Sequence, residues 1–238
     1  MARTGAPLKR LTDVVLALAL AALLAPVMLV IALLILLVDG APVFYLSERM
    51  KTAQTPFCLW KFRTMRHIDA DSGVSGAYKQ DRITPLGHWL RRYRLDELPQ
   101  LLNILRGDMS FVGPRPPLRA YVEMFPDLYA RVLDHRPGVT GLATLVYHRT
   151  EARLLGDCHT RETSEDIYVR RCIPVKARLD LIWARHQSPG YDLALLCRTA
   201  FDVFAPRLPR DPGAELRRLP LQIRRRDRLF LARRSGSD

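Results

Sequence analysis

Between Val14 and Val38 the chain runs for 25 residues without a charged side chain. As an α-helix rising about 1.5 Å per residue, such a run is about 37 Å long, against a bilayer hydrocarbon core of about 30 Å. It is long enough to enter a membrane. A cleaved signal peptide is a poor fit: Arg3, Lys9 and Arg10 make a basic leader, but the apolar run is about twice too long and Asp39-Gly40-Ala41-Pro42 offers no small-x-small cleavage site. Residues 1–13 carry net +2 and residues 39–238 carry +11, so both flanks favour the cytoplasmic side. Pro26 stands thirteenth in the run. It lacks the amide that would bond to the Ala22 carbonyl and its ring crowds that carbonyl, which predicts a kink at the midpoint. The two arms are each about 18–20 Å long, near the depth of one leaflet. From these residues alone, a spanning helix and a helix that returns through the same face remain equally open.

The remainder has the length of one ordinary domain with an appendage, since 238 residues exclude two large single-core domains. With 48% hydrophobic and 26% charged residues the chain is globular, and a formal charge of +13 calls for an anionic partner. Cys58, Cys158, Cys172 and Cys197 form no C-x-x-C pair, which suits a reducing, cytosolic environment and indicates neither a disulfide framework nor a zinc knuckle. Cys158, His159 and Cys172 match no familiar ligand spacing. Three segments follow: an anchor over 1–40, one compact α/β-type domain over 41–205, and a basic tail over 206–238. Within the domain, Pro42–Leu46 and Phe57–Met65 read as β-rich runs, and the polar stretch Asp69–Lys79, with Gly73 and Gly76, reads as a loop. The tail carries ten arginines among Leu, Ile and Phe side chains, net +6, a pattern for a solvated tail or a membrane-surface helix.

Chemistry concentrates between Asp81 and Pro116. Leu95, Leu98, Leu101, Leu102 and Leu105 recur at helical spacing, and Pro99 is tolerated only in a first turn, so a helix is predicted to start near Asp96 and Glu97. Carboxylates at such a start lie beside free backbone amides and the positive end of the helix dipole, which favours their ionised form. Arg91, Arg92 and Arg94 precede the pair, and Arg115 stands between two prolines that fix its backbone. Guanidinium groups converging on a metal-binding acid suit a diphosphate. Phosphoryl transfer needs in-line positioning, charge neutralisation and a nucleophile, and a carboxylate can be that nucleophile by forming an acyl phosphate. No Walker loop and no Gly-x-Gly-x-x-Gly are present. The net charge alone would also suit nucleic acid, but the chain has no recognisable reading helix or aromatic RNA platform, so no nucleic acid is expected as a partner.

The strings Leu95-Asp96-Glu97-Leu98-Pro99-Gln100-Leu101 and Gly107-Asp108-Met109-Ser110-Phe111-Val112-Gly113-Pro114-Arg115-Pro116 resemble the signature of the bacterial sugar transferases, the monotopic polyprenol-phosphate phosphoglycosyl transferases. Lys9-Arg10 with Asp13, Pro42-Val43-Phe44, Lys61-Phe62-Arg63-Thr64-Met65, Arg136-Pro137-Gly138-Val139-Thr140-Gly141, and Tyr168 with Lys176 and Asp180 extend the likeness from about residue 8 to about residue 204. The resemblance implies transfer of a phosphosugar from a UDP-sugar to a polyprenyl phosphate such as undecaprenyl phosphate, releasing UMP and beginning exopolysaccharide or related glycan assembly. It makes Asp96 the nucleophile and Glu97 the Mg²⁺ ligand beside it. Lys61 and Arg91 become phosphate-binding groups, with Arg115 at the nucleotide end. It also implies a small mixed α/β catalytic domain on the cytoplasmic face of the inner membrane, with membrane-surface helices and an N-terminal re-entrant helix broken at Pro26, in contact with membrane lipids.

Three positions depart from the family pattern. Ala25 replaces the usual serine before the membrane proline, so the bend rests on Pro26 alone. Ser47-Glu48-Arg49-Met50-Lys51 keeps the arginine of Gln-x-Arg-x-Gly and loses the glycine. Leu142-Ala143-Thr144-Leu145 stands for Trp-Ala-Gln-Val, which leaves the sugar open.

Overall fold

A computed structural model describes residues 6–66 and 77–204. Most of the expected 69–79 loop and all of the 206–238 tail lie outside the described residues. The apolar run forms helix α1, Ala6–Val38, as one 33-residue element with Pro26 inside it. The expected break is therefore not a break in the helix: proline deletes one amide donor, while the turns on either side keep their own bonds. One stripe of α1 faces the domain along most of its length. Ala17 is buried with Leu101, Ile104 and Met109, and Leu20 and Ala21 flank it. Further along, Ile31 and Ile35 are buried against Phe62 and Leu90, with Met28 and Ala32 beside them. The other faces expose Leu, Val and further apolar residues, including Leu23, Leu29, Leu37 and Val38. By length and composition α1 could cross a membrane.

Polar side chains pin both ends of α1. Lys9 is ion-paired with Asp192 and lies over the Trp183 ring. Arg10 donates to the Ile104 and Leu105 carbonyls, and Asp13 accepts from the Phe111 amide at 3.3 Å. At the far end, Asp39 accepts from the Thr84 hydroxyl at 2.8 Å, and Arg63 donates to the Asp39 and Gly40 carbonyls. Charge-assisted bonds of this kind contribute about 1.5–3 kcal/mol each.

Strands β1 (Phe44–Met50) and β2 (Pro56–Phe62) form an antiparallel hairpin with Ser47 opposite Leu59. The strands are shifted from the β-rich runs in the sequence, because ladder pairing carries the charged Glu48 and Arg49 into β1 while β2 stops at Phe62. Helix α2, Pro85–Arg92, opens with Pro85 in its first turn and Thr84 as its cap, whose hydroxyl accepts from Gly87 N at 2.9 Å. A 3-10 turn, Leu95–Glu97, precedes α3, Gln100–Arg106, with Pro99 at the cap. The helix thus begins slightly later than the leucine spacing predicts, and the acid pair lies in the tighter turn before it. Fully buried Asn103 fastens α3 to β2: its amide donates to Cys58 O at 2.7 Å and its oxygen accepts from Trp60 N at 3.0 Å.

Beyond α3, β3 (Ser110–Val112) pairs in parallel with β4 (Gly138–Thr140), and between them lie the Pro114-Arg115-Pro116 turn, α4 (Arg119–Met124) and α5 (Pro126–Val132). Helices α6 (Leu142–Gly156), α7 (Arg161–Ile167), α8 (Ile173–His186) and α9 (Pro189–Phe204) complete the described chain. The fold is mixed, with helix in excess of two small sheets. Between α7 and α8 a π-helical turn, Tyr168–Cys172, closes with the Ile173 amide on the Tyr168 carbonyl. The next residue, Pro174, has no amide with which to continue an α pattern.

The Arg115 turn is positioned by backbone contact too close for any Cβ. A Cβ on Gly138 would lie 2.1 Å from Gly113 N, and one on Gly113 would lie 2.3 Å from Arg136 O. Gly138→Ala is therefore expected to force β3 and β4 apart, with a loss of about 3 kcal/mol. Thermal unfolding of the detergent-extracted protein measures it, and an unchanged melting temperature would contradict this packing.

Candidate active site

Asp96 and Glu97 enter the site from the 3-10 turn because Arg94, directly before it, adopts a left-handed conformation, φ 56°. That reversal turns the chain from α2 into α3 and leaves the two carboxylates adjacent, at 8% and 9% exposure, on the floor of an open cleft of about 1360 Å³. Their surroundings differ. Glu97 Oε1 accepts from Lys61 Nζ at 2.8 Å and Arg115 Nη2 at 3.2 Å, while Oε2 accepts from Arg94 Nη2 at 2.8 Å. Asp96 has Lys61 Nζ at 3.9 Å, beyond hydrogen-bonding distance.

The electrostatics separate the pair. Burial opposes ionisation of Glu97, but Lys61, Arg94 and Arg115 overcome it and hold this carboxyl well below its ordinary range. Asp96 moves the other way: burial and the neighbouring Glu97 charge raise it, and Lys61, Arg91 and Arg94 only partly compensate. The helix-start expectation that both acids favour ionisation thus holds for Glu97 and fails for Asp96, whose desolvation outweighs its cations. Lys61 is lowered by burial and by Arg115, against the pull of Glu97 and Asp96. Arg91 donates from Nε to Thr64 Oγ1 at 2.8 Å and lines the same cleft. The cluster can neutralise polyanionic charge beside an open carboxyl.

The chain matches the family model described as bacterial sugar transferase over residues 4–206. It belongs to the bacterial sugar transferase family. A UDP-glucose:undecaprenyl-phosphate glucose-1-phosphate transferase of Escherichia coli (strain K12) is 36% identical over 201 residues, covering 83% of this chain and 40% of that protein. A protein of the same name from Caulobacter vibrioides is 43% identical over 154 residues, covering 59% of this chain and 57% of its own length. A putative undecaprenyl-phosphate N-acetylgalactosaminyl 1-phosphate transferase of Bacillus subtilis is 45% identical over 120 residues, covering 50% and 66%. The chain thus spans about two fifths of the E. coli relative's length.

Of the residues singled out in the sequence, Lys61, Arg91, Asp96, Glu97 and Arg115 all line this cleft, and Pro26 stands apart in α1. Arg92 lies over the Tyr93 ring and pairs with neither acid. Among the described residues no three His, Cys, Asp or Glu side chains are placed to hold a metal, so Cys158, His159 and Cys172 do not assemble. Mg²⁺ is usually held by one or two carboxylates together with substrate phosphates, and of this adjacent pair Asp96 has no donor within hydrogen-bonding distance among the described residues, while Glu97 Oε2 accepts from Arg94 alone. Arg94 emerges as a direct partner of Glu97, which its place three residues earlier allowed and its backbone conformation decided. Glu151 and Lys176, paired at 2.9 Å in the wall of the cleft, had no local signal linking them.

Glu97 is the anionic hub of three cations, and its depressed native pKa sets a pH signature. Its stabilisation is complete above the ordinary glutamate pKa of about 4.3 and is lost as pH falls through the lower native value. Glu97→Gln should cost about 3–5 kcal/mol at pH 7, as expected for breaking a buried pair, and progressively less below pH 4. Parallel melts across pH measure the difference. A cost that does not vary with pH would refute the charge-hub account.

Proposed function

We propose that the chain transfers a phosphosugar from a UDP-sugar to undecaprenyl phosphate or a similar polyprenyl phosphate. The observation that carries this reading is the asymmetry of the acid pair: Glu97 is engaged by three cations, and Asp96 beside it has no close hydrogen-bond donor among the described residues. The names of the relatives, which specify UDP-sugars and undecaprenyl phosphate, support the choice of donor and acceptor.

In the first step an Asp96 oxygen attacks the sugar-proximal phosphorus of the donor. A P–O bond forms to the carboxylate, the P–O bond to the nucleotide phosphate breaks, and UMP leaves with the bonding pair. In the second, a polyprenyl phosphate oxygen attacks the same phosphorus and Asp96 departs as carboxylate, leaving polyprenyl diphosphate sugar. The shortage of hydrogen bonds on Asp96 favours this role, since an oxygen that is poorly solvated attacks more readily. Lys61, Arg91 and Arg115 bind phosphate oxygens and neutralise the charge that develops on them. Glu97 is the proposed protein ligand of Mg²⁺, which when bound would supply further neutralisation at the diphosphate.

The topology belongs to the same reading. Contacts from Lys9 to Asp39 bring both ends of α1 to one domain, which supports a helix that lies in one leaflet of the inner membrane with the basic domain on the cytoplasmic face. A cysteine at Thr4, in a background freed of native cysteines, should therefore resist an impermeant thiol reagent added outside spheroplasts. Labelling from outside would make α1 a spanning helix.

Asp96→Asn tests the chemistry. The variant should melt no lower than the parent, because burial already opposes its charge, yet it should lose both turnover and radiolabelling by donor labelled on the sugar-proximal phosphate. Persistent label would move the nucleophile elsewhere.

A further inference from the structure

Behind Arg115 a second cavity, of about 240 Å³, opens off the cleft, with Arg49 and Arg115 shared between the two. It is smaller than the roughly 300–1,000 Å³ of a pocket for a whole drug-sized ligand, so it suits one end of a larger molecule. Its walls combine the rings of Tyr121, Tyr129 and Tyr168 and aliphatic side chains such as Leu118 and Ile173 with the charged Glu151, Lys176 and Asp180. The Tyr121 and Tyr168 phenols are tethered, one donating to Glu165 at 2.8 Å and the other accepting from Lys176 at 3.2 Å, and their ring centroids are 5.0 Å apart.

Among the described residues, two polar groups there have no hydrogen-bond or ion-pair partner. Asp180, on α8, is 8% exposed and its Oδ1 has no hydrogen-bond partner. Lys176, one turn away, is committed to Glu151 at 2.9 and 3.0 Å. Burial lifts the Asp180 carboxyl to about 8, with Lys176 opposing, so near neutrality it offers one donor and one acceptor. The Arg49 side chain makes no hydrogen bond or ion pair among the described residues, and burial together with Arg115 lowers its pKa. An uncompensated arginine and an orphaned buried carboxyl are each costly, and a ligand bearing an anion and a hydrogen-bonding edge would relieve both.

We propose that this cavity holds the pyrimidine base of the nucleotide donor, with Asp180 bonded to the base edge and Arg49 beside Arg115 on the diphosphate at its mouth. The assignment rests on the UDP-sugar reading above. It orders the donor along one line: base against Asp180, phosphates at Arg49 and Arg115, and the sugar-proximal phosphorus at Asp96, since Arg115 reaches Glu97 at 3.2 Å. The N3–H and O4 of uracil complement an acceptor and a donor on one carboxyl. The rings of Tyr121, Tyr129 and Tyr168 offer apolar surface to the face of a base, and with Lys176 and Glu151 committed to each other, Asp180 and Arg49 are left for its edge and the phosphates.

Calorimetric titration of the full chain in detergent with UMP and with inorganic pyrophosphate tests the assignment. Asp180→Leu should weaken UMP by about tenfold or more, as for a lost buried hydrogen-bonding pair, while leaving pyrophosphate within about twofold. Its melting temperature should not fall, because an orphaned carboxyl is replaced by an apolar side chain. Asp180→Asn, which keeps a donor and an acceptor, should retain UMP binding within about threefold. Should the leucine variant fail to fold, Asp180→Ala carries the same binding expectation. A parallel loss of pyrophosphate would reduce Asp180 to a structural residue and overturn the proposal. Unchanged UMP binding with weakened UDP-glucose would place the sugar in this cavity, and also overturns it. A failed donor reading has a different signature: the parent protein itself would show no saturable UMP binding.

Discussion

The acid Glu97 and the three cations around it are the interaction on which the rest of the site depends. Lys61 comes from β2, Arg94 from the turn after α2, and Arg115 from the turn after β3, so one carboxylate joins three separately folded segments. Glu97, at 9% exposure, is poorly hydrated and depends on these cations to offset its desolvation, whereas the Arg94 and Arg115 side chains keep contact with solvent. Balance at Glu97 leaves imbalance nearby. Among the described residues Asp96 has no hydrogen-bond donor within reach and Arg49 has no counter-ion, and both line the cleft. A protein optimised for stability alone would have paired them or replaced them with apolar residues.

The apolar helix is coupled to this cluster through the backbone of α3. Arg10 satisfies carbonyls at the C-terminal end of α3, while Asp96 and Glu97 lie just before its other end. A cation placed there also complements the helix dipole. Asp13 reaches the Phe111 amide in β3, four residues before Arg115. Seating of the apolar helix and placement of the charged groups of the cleft are therefore parts of one packing problem, with Ala17 small enough to let α1 approach the core.

A second consequence concerns rigidity. The Arg115 turn is fixed by two prolines and by the Gly113–Gly138 approach, and Asn103 locks α3 to β2 with both ends of its amide. Charged groups that are held in place need not reorganise to meet a ligand's charge, and the sites of Arg115 and Lys61 are held in that way.

Much of this was legible in the chain itself. The long apolar helix follows from an uncharged run of 25 residues, whereas Lys61, Arg91, Asp96, Glu97 and Arg115 were singled out through strings that resemble one family's signature, the residue types alone leaving a capped helix and a solvated basic face open. Thr84 caps α2 and Gly107, in the left-handed region, ends α3, each through a few neighbouring atoms, although neither position was read from the sequence. Only the tertiary structure decided which acid is driven toward ionisation and which away from it, since the difference between Asp96 and Glu97 arises from segments up to 36 residues away in sequence, such as Lys61. The same holds for the break expected at Pro26, where the helix runs on as one element packed against the domain, and for the cavity at Asp180, whose walls come from β1, α4, α5, α8 and the π turn. Sequence patterns report the conformational preferences of neighbours, whereas burial and charge balance are sums over groups that meet only when the chain is folded.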